Sequence, residues 1–561
     1  MQQAPEKRHL VQWIFGHLRR MAAVRMAGFA MMILVVGPGL VPAVQAATDP
    51  VADAIHARLD RRTNPRADWA LDWSQLRKFY AAREWRPAWS GDKNAAGRAR
   101  ILRRALRTAD REGLDPKTYH LATIHEYRSR EDAASRATLD ILLTDTFFRY
   151  SEDVRVGRFK PGEVDPDWHI SPPPDGVPFY WMNLDPSKFD AFVQNLPPPQ
   201  RGYQQLRTAL ARYRKLERDG GWPPLMAGPA LKIGDRSPQV GRLRIRLMAE
   251  GDLGAGAVDE ANLFDASVRD AVERFQKRYG LKADGVVGSA TREAMNVPLA
   301  ARIEQIRLNM DRWRWLPRNL GDRYIMVNTA GYELTVNEDD KDVLSMRVIT
   351  GQKDWMTPVL TGDLVTVQFN PYWMVPKKIA LEELVPKQLR NPDYLASQKI
   401  RVFDNWAVKP REVDPSRVRW SKLSEDNFPY QLRQDPGPWN ALGKIKFIFA
   451  NNFAIFLHDT PHRGLFEQQS RALSHGCVRV QHPVGLATYL FGEKNGWTRE
   501  RIEEVIASGE TEFARVPEPV PIYLVYWTAW VNGRNQVNFR EDVYERDQKM
   551  LENGENGEKM R

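Results

Sequence analysis

Cysteine is almost absent. The chain of 561 residues holds one, Cys477, so no intrachain disulfide can form. Histidine is scarce too, at ten residues. These histidines lack the partner cysteines and the acidic i,i+4 arrangement of common zinc sites, so no metal and no cofactor is implied. Long apolar runs are missing: the uninterrupted core of "MAGFAMMILVV" is about ten residues, against the roughly twenty a spanning helix needs. The formal net charge of +11 comes without an arginine-rich helix or base-stacking motif, which argues against nucleic acid as a partner.

That apolar stretch sits within residues 1–46, which read as an export signal. Lys7, Arg8, Arg19, Arg20 and Arg25 lead against the single acid Glu6, and "VPAVQA" places small residues Val44 and Ala46 before a cut after Ala46. Left uncleaved, the segment would be a membrane anchor, the one membrane contact expected. Either way the bulk of the chain is expected outside the cytoplasm, in a bacterial periplasm. In such an oxidising compartment a lone thiol is either a small buried hydrophobe or a free reactive group, and its neighbours must decide.

Residues 50–225 have helical spacing; "YQQLRTALARYRKLE" puts Leu206, Ala209, Leu210 and Tyr213 on one stripe. Residues 228–297 form a three-helix unit. Ser237 and Pro238 open the first helix, Asp265 caps the second, and Asp284-Gly285 turns into the third. A linker helix at 298–319 is expected to be amphipathic, with Ile303, Ile306, Met310 and Trp313 on one side. From 320 to 547, runs such as "YIMVNTAGYELTV" and "KIKFIFANNFAIFLHD" predict strands. A more polar interval, 378–443, reads as an insertion over the sheet, with Trp406, Trp420 and Trp439 as its local core. The charged, apolar-poor tail at 548–561 is expected to be disordered. The fold class is multidomain α+β.

The thiol lies in "SRALSHGCVRVQHP". It attacks only as thiolate and needs a base or a nearby positive charge. Residues two apart on a strand share a face, which puts Arg479 beside Cys477, there to favour thiolate or to hold a substrate carboxylate. Gly476 permits close backbone approach, and amides beside the nucleophile are natural oxyanion donors. Spacing leaves the base open between His475 and His458, which ends a strand and alternates with Phe456 and Ala454. His462 and His482 read as structural or surface residues.

"HDTP", then "RALSHGCVRV" with the thiol 19 residues after the first histidine, resembles the L,D-transpeptidase catalytic (YkuD-type) family. "VITGQKDWMTP", "FNPYWMVPKKIA", "PWNALGKIKFIF" and "YWTAW" support the likeness. "LKIGDRSPQVGRLRIRL", "AVERFQKRYGL" and "ADGVVGSATREAM" resemble a peptidoglycan-binding domain. Together with the helical scaffold they point to the large periplasmic subfamily, whose catalytic domain has a mixed sheet and a capping insertion.

The resemblance implies Cys477 as nucleophile, His458 as general base oriented through the backbone carbonyl of Asp459, and Ser474, His475 and Gly476 as support. Arg479, the candidate substrate-binding residue, stands where many relatives carry asparagine. Asp459 and Leu360 replace glycines common elsewhere in the family, which bears on loop shape. The implied function is ping-pong formation of cross-links between the meso-diaminopimelate residues of two stem peptides, with release of D-alanine. Partners would be donor and acceptor stems, with other wall synthases as candidates. An L,D-carboxypeptidase at the same site and a non-catalytic wall-binding scaffold are the alternatives. A papain-like protease does not fit, because there the thiol precedes its histidine.

Overall fold

Near residue 320 the sequence period changes, and the chain passes there from helix to sheet. The computed structural model describes residues 49–62, 71–172, 184–254, 260–407, 409–492 and 496–560. The expected export signal, 1–46, lies outside them. No described helix is long and apolar enough to cross a membrane.

Helices Trp73–Ala81, Ala95–Arg107 and Ala133–Arg155 pack around Leu76, Phe79, Leu102, Leu142 and Phe147. Asp72 and Asp132 start two of them by accepting the backbone N–H of Gln75 and Ser135. The three-helix unit comprises Pro238–Ala249, Ala266–Arg278 and Ser289–Asn296, with Ser237 and Asp265 capping in the same way. The stripe of Arg201–Arg218 joins the core of this unit and of the sheet domain, not that of the earlier helices.

Helix Leu299–Arg314 differs from the amphipathic linker expected. Its polar side is buried as deeply as its apolar side: Asn309, Asp311, Arg312 and Arg314 are at most 1 % exposed. Buried charges persist only when paired. Asp311 takes Arg158 at 2.6 Å and Arg314 at 2.7 Å, and Arg312 pairs with Asp547. Arg314 also donates to the Tyr203 hydroxyl, which donates to Glu112.

The sheet domain begins with β1 (Arg323–Asn328), β2 (Glu333–Glu338), β3 (Lys341–Gly351) and β4 (Leu360–Phe369). The insertion supplies β5 (Trp373–Met374), β6 (Ile400–Phe403), β7 (Glu412–Val413) and β8 (Gln431–Gln434). Then come β9 (Ile445–Phe449), β10 (Leu457–His458), β11 (Ala472–Ser474), β12 (Val478–Val480), β13 (Glu512–Val525), β14 (Ala529–Val531) and β15 (Val537–Phe539). Nine strands run in the order β11-β3-β12-β10-β9-β4-β13-β1-β2, and a further β2–β3 pairing closes eight of them into a mixed barrel, with β11 added to the end of β3. Its interior holds Ile325, Val327, Leu334, Phe447, Leu457, Val478 and Leu524.

The insertion has its own four-stranded sheet and a core of Ile379, Leu384, Val402, Trp420 and Leu432. Trp406 and Trp439, expected in that core, are instead 51 % and 44 % exposed. They lie in the β6–β7 and β8–β9 connections, outside the strands of the small sheet. The tail is also corrected: Arg546–Met560 is helix rather than disordered. Asp542 caps it through the N–H groups of Arg546, Asp547 and Gln548, and Met550 is buried.

Glu250 shows how the three-helix unit is held. Its carboxylate is buried 2.7 Å from Arg246 and 3.4 Å from Arg278, and accepts the hydroxyls of Tyr213 and Tyr279. Burial pushes its pKa up, but the two guanidiniums and the phenols hold it down at about 2. A depressed acid stabilises the fold fully above its ordinary value of 4.5, and that contribution is lost as pH falls through about 2. Glu250→Gln is therefore expected to cost about 3 to 5 kcal/mol at neutral pH and less in acid. Urea unfolding at about pH 6 and about pH 3 measures the difference.

Candidate active site

β10 is two residues long, yet it sits mid-sheet, antiparallel to β9 and parallel to β12. In register His458 lies opposite Lys446 on one side and Arg479 on the other. Residues paired across strands share a face, so three basic side chains form a row. Cys477 immediately precedes β12, and strand alternation gives it the face of Arg479.

The turn delivering Cys477 is fixed from several directions. Gly476 has φ +101, and a Cβ there would lie 3.3 Å from Ile455 Cδ1. Ser474 Oγ accepts the Gly476 N–H at 3.2 Å and donates to the Cys477 carbonyl at 2.5 Å. Thr357 Oγ1 donates to the Gly476 carbonyl at 2.8 Å and accepts the Gly351 N–H. The thiol is half-buried and reaches the Ala454 carbonyl at 3.7 Å. Ala454 itself is left-handed, at φ +53, in a loop bound by Asn451, whose Oδ1 accepts the N–H groups of Phe453 and Ile455.

His458 Nδ1 lies 2.6 Å from the Asp459 carbonyl. A carbonyl can only accept, so Nδ1 carries the hydrogen and Nε2 keeps a lone pair. Burial, then the Arg479 charge, with Lys446 adding to both, depress the ring to about 3 against the pull of the Asp459 and Leu442 carbonyls. Burial also pushes the Cys477 thiol up, while the Phe456 N–H, Lys446 and Arg479 pull it down. At neutral pH the imidazole and the thiol, on one face of the sheet, are therefore both neutral, each within the field of Lys446 and Arg479.

The remaining expected site residues divide. The Asp459 carboxylate turns away to Arg463 at 2.7 Å and to the Lys444 N–H at 3.0 Å. It fits because Gly443 opposite it has no side chain: a Cβ there would lie 2.5 Å away. Arg479 Nε is buried with no hydrogen-bond partner among the described residues. His475 reaches into the insertion, where Nε2 bonds Glu383, and sets its ring edge on Trp355 at 5.0 Å. His462 and His482 are exposed. Sequence reasoning passed over Lys446, Thr357, Trp355 and Glu383. Lys446 left a signal, a charge inside the run "KIKFIFA"; Glu383, 92 residues before His475, left none.

Residues 322–491 match the family described as the L,D-transpeptidase catalytic domain. The chain carries an L,D-transpeptidase catalytic domain. Ahead of this transpeptidase domain, residues 74–210 match a scaffold domain and 236–295 a "Putative peptidoglycan binding domain". A Haemophilus influenzae protein named "Putative L,D-transpeptidase" is 37 % identical over 247 residues, which is 44 % of this chain and 49 % of that protein. The N-acetylmuramoyl-L-alanine amidase CwlM of Mycobacterium tuberculosis is 43 % identical over 75 residues, 12 % of this chain and 18 % of its own. The chain thus spans about half the length of the first relative and about a fifth of the second. The crystal structure of an L,D-transpeptidase from Xylanimonas cellulosilytica aligns at 18 % identity and TM-score 0.18, over 54 % of this chain and 100 % of that one.

Two outcomes are expected from this arrangement. Arg479→Met moves the pH midpoint of Cys477 alkylation by iodoacetamide upward, because a cation that favours thiolate is gone; an unmoved midpoint would show that its charge does not reach the sulfur. Glu383→Ala frees His475 and speeds protease nicking within the insertion, read by timed digestion.

Proposed function

We propose that the chain is a peptidoglycan L,D-transpeptidase that joins the meso-diaminopimelate residues of two stem peptides. The observation that carries this reading is the thiol turn set beside a Nδ1-anchored, neutral His458, flanked by Lys446 and Arg479. In the donor tetrapeptide, Cys477 Sγ bonds to the carbonyl at the L-centre of the third residue, and His458 Nε2 takes the thiol proton. The oxyanion faces the Cys477 amide, since the Gly476 and Val478 amides are engaged with Ser474 and Phe456. Collapse breaks the bond to D-alanine, whose amine leaves with the proton from His458. The side-chain amine of the acceptor stem then attacks the thioester, passes a proton to His458, and Cys477 is restored. The unpartnered Arg479 Nε suits a substrate carboxylate.

Water in place of the amine would make the same site an L,D-carboxypeptidase. The Glu383–His475 contact, which holds the insertion against the nucleophile turn, favours transfer over hydrolysis by limiting water. The protein would act in the periplasm, on wall biogenesis and cell shape, with wall synthases as candidate partners. Purified tetrapeptide muropeptides incubated with the protein should give dimers linked between third residues, identified by mass spectrometry. Cys477→Ala and His458→Ala should each lower that yield by about a hundredfold or more. Undiminished dimers from Cys477→Ala would overturn the reading. A carbapenem that forms no adduct at Cys477 would favour a non-catalytic wall-binding role.

A further inference from the structure

The outer face of β1–β3 carries an arrangement that the thiol site does not use. Side chains alternate, so Ile325, Val327, Leu334 and Val336 fill the barrel while Met326, Asn328, Glu333 and Thr335 face outward. There they floor a cavity of about 450 Å³, within the ordinary range for a small-molecule site. Hairpin β14–β15 and the start of helix Arg201–Arg218 wall it. No lining residue belongs to the nucleophile turn, to β10 or to residues 236–295.

Two indoles of that wall, Trp313 and Trp527, stack at 4.3 Å, are 5 % and 6 % exposed, and have N–H groups without a hydrogen-bond partner among the described residues. Buried donors left unpaired call for an explanation, and an occupant supplying acceptors is one. Trp530, half-buried beside them, adds a third indole, with the Arg540 guanidinium 4.9 Å from its ring. Gly202 lets the helix come this close, since a Cβ there would lie 2.1 Å from the Trp313 ring.

The polar lining is mostly uncharged, with amides such as Gln205 and Asn538 and hydroxyls such as Thr335 and Ser345, beside the carboxylates Glu333, Asp340 and Asp342 and the guanidiniums Arg201 and Arg540. Amides both donate and accept, carboxylates accept from hydroxyls, and indoles pack against C–H faces. That set complements an uncharged, polyhydroxylated, N-acylated sugar. An extended peptide fits less well, because β1, β2 and β3 are paired on both sides and the floor has no free strand edge.

We propose that this cavity binds N-acetylated glycan, as a short run of sugars from a wall strand. The saccharide chemistry stands on the cavity; its assignment to a wall strand rests on the reading of the chain as a wall transpeptidase. A tetramer of β-1,4-linked N-acetylglucosamine, titrated into the full chain by calorimetry with tryptophan fluorescence in parallel, is the probe. Binding is expected, and Trp530→Ala and Ser345→Trp should each weaken it about tenfold or more. Ser345 is exposed, so the second variant fills the cavity without disturbing the core. Both should still acylate with a carbapenem, and Cys477→Ala should still bind the saccharide. No saccharide binding, or affinity unchanged in both variants, overturns the proposal. So does binding of stem peptide that Ser345→Trp abolishes, which would make this a peptide site. Saccharide binding without acylation would sink the enzymatic reading and leave this one standing.

Discussion

One strand register sets the electrostatics around the thiol. His458 stands between Lys446 and Arg479 because β10 pairs with β9 and β12 at one offset and no other. A slip of one residue would turn the imidazole into the barrel and bring Leu457 to the surface. The flanking cations act in opposite senses on the two groups. They disfavour protonation of the imidazole and favour the anionic form of the sulfur. The Asp459 carbonyl offsets part of the first effect, since it accepts a hydrogen bond that strengthens as the ring becomes charged.

The helical modules are not beads on a string. A continuous apolar core runs from Leu206 and Tyr213 through Val240, Leu247 and Phe275 to Tyr526, Trp527 and Phe539. Buried ion pairs cross the same boundaries: Arg158 to Asp311, and Arg312 to Asp547. Such pairs do little net stabilising against an apolar replacement, but removing one partner strands the other in a dry interior. The scaffold also reaches the rim of the site, where His169 stacks on Phe453 at 4.2 Å, two residues from the start of the loop that Asn451 organises.

Local pattern carried the legible part of this architecture. Alternation in "NFAIFLHD" and "CVRV" gives His458 and Arg479 their faces, and caps such as Asp265 mark helix starts at the residue. Pairing order is a property of the closed sheet, so nothing in either strand's own residues announces that Lys446 adjoins His458. Composition misled in three places for one reason. Helix Leu299–Arg314, the segment after Asp547 and two of the insertion's three tryptophans differ from what their own residues suggest, because burial is set by partners distant in the chain: Arg158 for Asp311, Arg312 for Asp547. Trp406 and Trp439 remain at the surface.

The shared core has a mechanical consequence. Arg278 donates to the Val537 carbonyl and Gln536 to the Gly251 carbonyl, so the three-helix unit is bolted to the β14–β15 hairpin and not tethered to it. A flexible leash would leave the spacing between that unit and the sulfur free to vary; this joint holds it constant.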